Sequence, residues 1–135
     1  MNENEREYGG TEEERIREMA EKIIGCAYRV SNTLGVGFLE KVYENALAYE
    51  LRKAGLKVEQ QKAIKVYYEG VVVGVYTTDL LVEECVLTEL KVAKAFDNIH
   101  MAQAINYLTA TRLKMCVLLN FGKPRMEFKQ VVKNL

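Results

Sequence analysis

Three residues in the middle of the chain have types and a spacing that could carry out chemistry. Asp79 directly precedes an apolar run, and Glu89 and Lys91 lie inside the apolar segment 86–92. Because Glu89 and Lys91 are two residues apart, their side chains project from the same face of a strand. Charged groups on a mostly buried face need a partner. A divalent cation such as Mg²⁺ or Mn²⁺ is one such partner, since it prefers carboxylate oxygens, and a nearby lysine can steady an anionic reactant.

The connection between the two strands decides whether Asp79 and Glu89 meet. A turn made of residues 83–84 alone would place Asp79 opposite Thr88 and pointing away from Glu89. A three-residue connection, residues 83–85, or a bulge places Asp79 opposite Glu89 on one face, about 5 Å apart. We predict the second arrangement, because carboxylates on opposite faces of the sheet could not share a metal ion.

Hydrophobic periodicity predicts the elements that carry these residues. Thr11 and Glu14 match a capping box, and apolar residues recur behind them at helical spacing as far as Leu34-Gly35. A second helix is expected from about Phe38 to the glycine at position 55, which follows a basic residue. Alternation then predicts strands over residues 56–68, 71–76, 79–82 and 86–92, with a two-residue turn at Glu69-Gly70.

The last third of the sequence adds a helix and two strands. Asp97 or Asn98 caps a helix that ends at about Thr111, with an apolar face formed by Met101, Ile105 and Leu108. Residues 114–120 are typical of a buried strand, and residues 126–131 of a last strand or short helix. With the runs 71–76 and 79–82 counted together, the order of elements is α-α-β-β-β-α-β-β, which predicts an α/β layered fold. We expect one domain over residues 11–135, preceded by a flexible acidic tail over residues 1–10.

Composition limits the class of protein. Of the 135 residues 49% are apolar and one is proline, which excludes a disordered or collagen-like chain. No segment contains the ~20 consecutive apolar residues of a membrane span. The three cysteines are widely spaced and the chain has one histidine, which does not fit a disulfide framework or a zinc site. We therefore expect a cytoplasmic protein without membrane contact.

Charge is distributed unevenly along this formally neutral chain. Residues 1–18 carry seven Glu and three Arg, whereas residues 100–135 carry six Lys or Arg and a single Glu. A basic C-terminal third can attract a polyanion, but a solvated basic face explains the same pattern equally well.

Several motifs together resemble a known group of nucleases. The pattern D-x9-E-x-K, formed by Asp79, Glu89 and Lys91 and followed by a helix, looks like the PD-(D/E)XK nuclease superfamily. Residues 37–43, GFLEKVY, match the signature of the GxxExxY family, a group of small proteins placed in that superfamily. The flanking segments 34–36, 46–51 and 120–122 are similar to that family as well. The ordered set of G-x-x-E-x-x-Y, D, E-x-K and Q-x-x-x-Y is much more specific than E-x-K alone.

The resemblance implies a role for each residue of these motifs. Asp79 and Glu89 would be the principal metal ligands, the carbonyl of Leu90 a further one, and Glu40 the helix-borne carboxylate that completes the metal shell. Lys91 would position or activate the attacking water. A polar stripe opposite the apolar face of the third helix would border the substrate cleft, and basic side chains would hold the nucleic-acid backbone; these substrate-binding residues are His100, Gln103, Tyr107, Lys94 and Arg112, with Lys114, Lys123 and Arg125.

The same resemblance implies a fold and a reaction. The fold would be a PD-(D/E)XK nuclease-like layered domain with a central mixed sheet flanked by helices. The reaction would be Mg²⁺-dependent hydrolysis of phosphodiester bonds, with Mn²⁺ as a substitute ion. The partner would be nucleic acid, DNA in preference to RNA, and a homodimer would offset the limited surface of so small a domain. Members of the family often carry a basic residue before the aspartate, whereas here Thr77-Thr78 precede Asp79; this departure affects phosphate positioning.

Two other classes of function stay open from the residues. A non-catalytic module on the same fold would bind nucleic acid or a protein partner, and a structural homo-oligomer would need neither. Taken singly, Glu40 can serve the helix dipole, and Glu89 with Lys91 can form an exposed ion pair. The nuclease is favoured because all the residues occur in the order that one superfamily uses.

Overall fold

Three helices and a five-stranded sheet make up residues 10–135, which are the residues that the computed structural model describes. All but the last residue of the predicted tail, 1–10, lies outside them. The bounds of the elements, numbered along the chain, are α1 Glu12–Leu34, α2 Glu40–Lys53, β1 Val58–Tyr68, β2 Val71–Val82, β3 Val86–Lys91, α3 Asn98–Thr111, β4 Met115–Asn120 and β5 Glu127–Val132. Within the described range, no helix has both the length and the apolar character to cross a membrane.

The strands form one mixed sheet in the order β1-β2-β3-β4-β5. β3 and β4 are parallel, and every other neighbouring pair is antiparallel. Parallel neighbours need a crossover connection, which α3 provides. The helices α1 and α2 cover one face of the sheet and α3 covers the other, so that β4 is buried along its whole length. The predicted α/β layered fold with a central mixed sheet is confirmed.

Local sequence signals account for most element boundaries. The hydroxyl of Thr11 accepts a hydrogen bond of 3.0 Å from the N–H of Glu14, which starts α1. At the start of α3, Asp97 and His100 cap each other: Asp97 Oδ1 accepts from the N–H of His100 at 3.0 Å, and His100 Nδ1 accepts from the N–H of Asp97 at 3.3 Å. The α3 helix is capped at its C-terminal end by Arg112, whose φ of 62° is left-handed.

Two expectations about the elements were wrong. Residues 71–82 form one strand rather than two, because Thr77 and Thr78 stay paired with β1. The apolar face of α3 does not include Ile105, which is 47% exposed; Ala104 and Leu108 are the buried residues of that helix. The polar stripe His100, Gln103 and Tyr107 therefore lies alongside the buried face of α3 and not opposite it.

Candidate active site

The hairpin of β2 and β3 brings Asp79 and Glu89 together. The connection has three residues, 83–85, as predicted, and the ladder between the two strands ends at the pair Leu80 and Thr88. Asp79 and Glu89 come directly after that pair, where the strands stop pairing. The charge of Asp79 acts on the Glu89 carboxyl group and raises its pKa. The predicted register is confirmed, and it places both side chains at the point where β2 leaves β3.

Neighbouring groups fix the orientation of each carboxylate. Asp79 Oδ2 accepts a hydrogen bond of 2.8 Å from the N–H of Leu90, so the side chain occupies the gap between the diverging strands. Asp79 Oδ1 accepts from Nε2 of Gln61 at 3.3 Å. Glu89 Oε1 accepts from the buried hydroxyl of Thr78 at 2.7 Å. Both carboxylates are therefore held by hydrogen bonds that leave oxygen lone pairs for a further ligand.

The charges at this site influence one another. Glu89 is 6% exposed, and burial, followed by the negative charge of Asp79, raises its pKa to about 8, while Lys91 lowers it. Burial also raises the pKa of Glu40, as does Asp79, and Lys91 again opposes the shift. These mutual effects place Glu40, Asp79, Glu89 and Lys91 in one group of interacting charges.

The three predicted acidic ligands are not assembled into a metal centre. Among residues 10–135, no group of three His, Cys, Asp or Glu side chains is arranged to hold a metal ion. Glu40 is an exposed residue in the first turn of α2. Its interaction with Asp79 is electrostatic: the negative charge of Asp79 raises the pKa of Glu40. The donor set nevertheless suits a hard cation, because Asp79 and Glu89 supply only oxygen and their charges repel each other.

Two residues that the sequence patterns did not single out complete the site. Gln61 in β1 has a φ of 53°, and its Nε2 donates both to Asp79 and, at 2.6 Å, to Oε1 of Glu44. Glu44 is 3% exposed and also accepts hydrogen bonds of 2.8 Å from Lys41 and Gln60. Glu44 lies one helical turn after Glu40, and this i, i+4 spacing was the available signal.

The motif tyrosine, Tyr43, has a structural role. Its hydroxyl donates to the carbonyl of Gly35 at 2.6 Å and accepts from the N–H of Phe38 at 3.3 Å. Its ring stacks on Phe121 with a centroid distance of 4.8 Å. Tyr43 thereby fixes the loop that leads into α2 and so the position of Glu40.

A second buried contact supports the chain just after Lys91. The side chain of Asn120 accepts from the N–H of Ala93 at 3.0 Å and donates to its carbonyl at 2.9 Å. Gly122 passes so close that a Cβ at this position would lie 2.5 Å from the same carbonyl oxygen. The segment 120–122 is therefore the support that sets where β3 ends and where the Lys91 backbone lies.

The predicted substrate-binding residues lie in different surroundings. His100 caps α3, Gln103 is exposed, and Tyr107 is half-buried and stacks on Tyr76 with a centroid distance of 3.8 Å. Burial, and next the charge of Glu89, raises the pKa of both tyrosines, so this stack lies near the carboxyl pair.

The predicted basic contacts are partly engaged in ion pairs. Lys94 and Arg112 are exposed, whereas Lys114 pairs with Glu12 at 3.0 Å and Lys123 pairs with Glu127 at 3.2 Å. The surface that is available for a polyanion is therefore smaller than the count of basic residues indicates.

Two solved structures are similar to this chain. Among solved structures, the chain is similar to SSO0001, with a TM-score of 0.50 and 14% identity over 71% of this chain and 51% of that one. It is also similar to an alkaline exonuclease, LHK-Exo, from Laribacter hongkongensis, with a TM-score of 0.42 and 15% identity over 90% of this chain and 70% of that one.

The likeness to SSO0001 concerns the fold, and the chain spans about half the length of that protein. No curated protein matches the sequence. A family model described as the PD-(D/E)XK nuclease superfamily matches residues 17–131, which is most of the chain. The sheet, the carboxyl pair at the strand divergence and this match agree, and the chain belongs to the PD-(D/E)XK nuclease superfamily.

Proposed function

We propose that the protein is a metal-dependent nuclease that hydrolyses phosphodiester bonds. One observation carries the proposal: two carboxyl groups from different strands, Asp79 and Glu89, lie where β2 and β3 stop pairing, and each acts on a common group of charges that includes Lys91. Two like charges at a buried site are unfavourable unless a proton or a cation lies between them. A divalent cation removes that repulsion, and membership of the superfamily supports the same reaction.

The residues that would hold the ion are Asp79 and Glu89, together with the carbonyl of Leu90. The N–H of Leu90 already points to Asp79, and in an extended strand the carbonyl of the same residue points to the same side. Glu40 adds negative potential from α2. A bound Mg²⁺, or Mn²⁺ in its place, supplies a water of lowered pKa and stabilises negative charge on the phosphate.

Three further side chains would stabilise the transition state or orient the carboxylates. The ammonium group of Lys91 donates hydrogen bonds to a phosphate oxygen or to the attacking water, and it stabilises the charge that develops in the transition state. Thr78 and Gln61 keep the carboxylates in a fixed orientation, which lowers the reorganisation required on binding.

The nature of the partner belongs to the same proposal. We assign the chain to the GxxExxY family on the match of residues 37–43. Its substrate is nucleic acid, with DNA preferred to RNA, and it acts in the cytoplasm. A homodimer would extend the contact surface beyond what one small domain offers. Exposed Lys94 and Arg112 supply contacts to the backbone of the polyanion.

Calorimetric titration with Mg²⁺ and Mn²⁺ tests the ion site directly. The parent protein is expected to bind either ion, and Asp79→Ala and Glu89→Ala are expected to lose the binding. Glu18→Ala is the matched control, because it removes an exposed carboxylate of α1. Equal affinity in the parent and in Asp79→Ala would rule out the site.

A panel of labelled oligonucleotides with Mn²⁺ tests the reaction. The parent is expected to cleave at least one single-stranded or duplex DNA or RNA, and Asp79→Ala to leave all of them intact. Ion-independent binding without cleavage would instead identify a non-catalytic module on this fold.

A further inference from the structure

A groove of about 870 Å³ lies next to the candidate active site, between the outer half of the β1–β2 hairpin and α3. Its walls are mainly apolar and aromatic, with an amide and a guanidinium group at the helix side. The residues used below are Val66, Gly74 and Tyr76 from the hairpin and Asn106, Tyr107 and Arg112 from the helix and its C-terminal cap.

The space exists because one position of the hairpin lacks a side chain. Val66 pairs with Gly74, and Ile64 pairs with Tyr76, so these four residues share the face that is turned towards α3. All four are half-buried, whereas Ala63 on the other face is exposed. A Cβ added at Gly74 would meet no atom within 4 Å. A larger side chain at position 74 would therefore fill the groove without a steric clash.

The groove is continuous with the carboxyl pair through two stacked rings. Tyr76 and Tyr107 line it, and their planes are inclined by 12° at a centroid distance of 3.8 Å. The charge of Glu89 acts on both hydroxyl groups. The hydroxyl of Tyr76 is buried and has no hydrogen-bond partner among the residues that the structure describes. A molecule in the groove would thus contact the rings that border the candidate catalytic centre.

We propose that this groove receives one unstacked nucleobase of the substrate, so that the protein acts on single-stranded or frayed nucleic acid. The inference rests on the proposed nuclease function and specifies its substrate. Apolar and aromatic walls suit the faces of a base. The amide of Asn106 matches the donors and acceptors of a base edge, and the guanidinium of Arg112 suits the adjoining phosphate.

The two polar groups also distinguish this occupant from a purely apolar one. An aliphatic segment of a second copy would offer no hydrogen-bond partner to the amide or to the guanidinium. A base inside a duplex is stacked and paired, and it can enter only after it has been extruded from the helix, which costs a few kcal/mol. An unpaired strand avoids that cost.

The test measures binding alone, by fluorescence anisotropy of labelled single-stranded oligonucleotides in the presence of a chelator. One abasic nucleotide is moved along the strand. In the parent protein, the abasic nucleotide is expected to weaken binding about tenfold at one position, in line with the loss of one stacked base. Gly74→Val is expected to weaken binding of the intact strand about tenfold and to abolish the effect of position.

The control is Ala63→Val, which adds bulk to the same hairpin on the face turned away from α3, and it should bind like the parent. Asn106→Ala, at an exposed helix position, gives a second variant that does not depend on Gly74; it should reduce the discrimination between the four bases at the sensitive position. The proposal would be overturned if the abasic nucleotide lowered the affinity equally at every position, or if Gly74→Val bound the intact strand as tightly as the parent.

Failure of the nuclease function would look different. In that case no oligonucleotide would be cleaved with Mn²⁺, or Asp79→Ala would cleave like the parent, whatever the abasic profile shows.

Discussion

Gln61 combines backbone strain with a contact that the site uses. A φ of 53° is disfavoured for a residue with a side chain, by roughly 1–2 kcal/mol. The amide of Gln61 nevertheless donates hydrogen bonds to both Asp79 and Glu44, so that each carboxylate would lose one hydrogen bond without it. The strain is therefore retained at a position where the side chain orients a candidate metal ligand.

Replacement of Gln61 separates these two effects. Gln61→Gly relieves the strain but removes the amide, and we expect its affinity for Mn²⁺ to fall about tenfold or more, the usual effect of losing a hydrogen bond to a ligand. Glu69→Gly is the control, because Glu69 has a φ of 49° in the β1–β2 turn. Calorimetry should show unchanged ion affinity for Glu69→Gly, and a loss in both variants would contradict the role of the amide.

Lys91 is expected to act in the reaction and not in the binding of the ion. Lys91→Ala should lower kcat by at least about 10²-fold, because a donor to the developing charge is lost. Single-turnover cleavage of an oligonucleotide gives the rate, and calorimetry gives the ion affinity, which should be no weaker than in the parent. Cleavage by Lys91→Ala at the parent rate would remove this lysine from the mechanism.

Glu89 makes the stability of the ion-free protein depend on pH. The carboxyl loses its proton near pH 4.5 in the unfolded chain and at about 8 in the folded one. Between these values the unfolded state binds fewer protons, so the free energy of unfolding decreases as the pH rises. Denaturant unfolding with a chelator should therefore show lower stability at pH 8 than at pH 5, and Glu89→Gln should lose most of this difference.

The residues that the sequence identified are those whose relation depends on local spacing. Glu89 and Lys91 share a face because they are two apart on one strand, and Asp79 meets Glu89 because the turn has three residues. Gln61 and Glu44 meet through the packing of α2 on β1, which no short pattern encodes. The placement of Glu40 outside a metal cluster depends on the same packing.

Among the elements, the contact between Gly122 and Ala93 links β4 to the end of β3. Gly122→Ala would force a Cβ to within 2.5 Å of backbone atoms of Ala93, and the segment after Lys91 must move. We expect a loss of about 1–3 kcal/mol in the free energy of unfolding, as for other overpacked sites. Chemical denaturation measures the loss, and cleavage assays should show reduced activity at temperatures where the variant is folded.

Gly25→Ala is the matched control for this substitution. Gly25 lies in α1, and a Cβ there meets nothing within 4 Å. Alanine is the better helix former by roughly 0.5–1 kcal/mol, so this variant should be more stable than the parent. If Gly122→Ala were as stable as Gly25→Ala, the close approach to Ala93 would have no energetic consequence.

The order of the elements follows from the sequence, but the orientation of α3 does not. Caps and periodicity place its ends at Asn98 and Thr111 within a residue or two. Its sequence is apolar on more than one side, so periodicity alone does not decide between Ile105 and Ala104 as the buried residue. The packing of α3 on the sheet decides it, because Ala104 and Leu108 join the buried cluster that β3 and β4 form on that face.

For the molecule as a whole, binding of nucleic acid should depend on salt. Contacts to phosphate release counterions, so the dissociation constant should rise steadily between about 50 and 200 mM salt. In anisotropy titrations, the slope of the logarithm of the binding constant against the logarithm of the salt concentration should be smaller for Lys94→Ala by up to about one unit. Lys57→Ala removes the same charge from a lysine that precedes β1 and is ion-paired with Glu84, and it should keep the slope of the parent. A flat response to salt would favour a protein partner.

The long β1–β2 hairpin and the central strand β3 support the candidate site with different numbers of paired strands. β1 and β2 are paired as far as Tyr68 and Val71, at the tip of the hairpin. β2 pairs with β3 only over Leu80, Leu81 and Val82. From the turn at residues 69–70 to about residue 79, the hairpin is therefore a two-stranded ribbon, and an isolated ribbon has little stability of its own in water. Glu89 and Lys91 belong to β3, which is a central strand paired with β4 over its whole length, and Tyr76 belongs to the ribbon. A local opening of the ribbon would therefore displace Tyr76 without moving the candidate catalytic groups on β3.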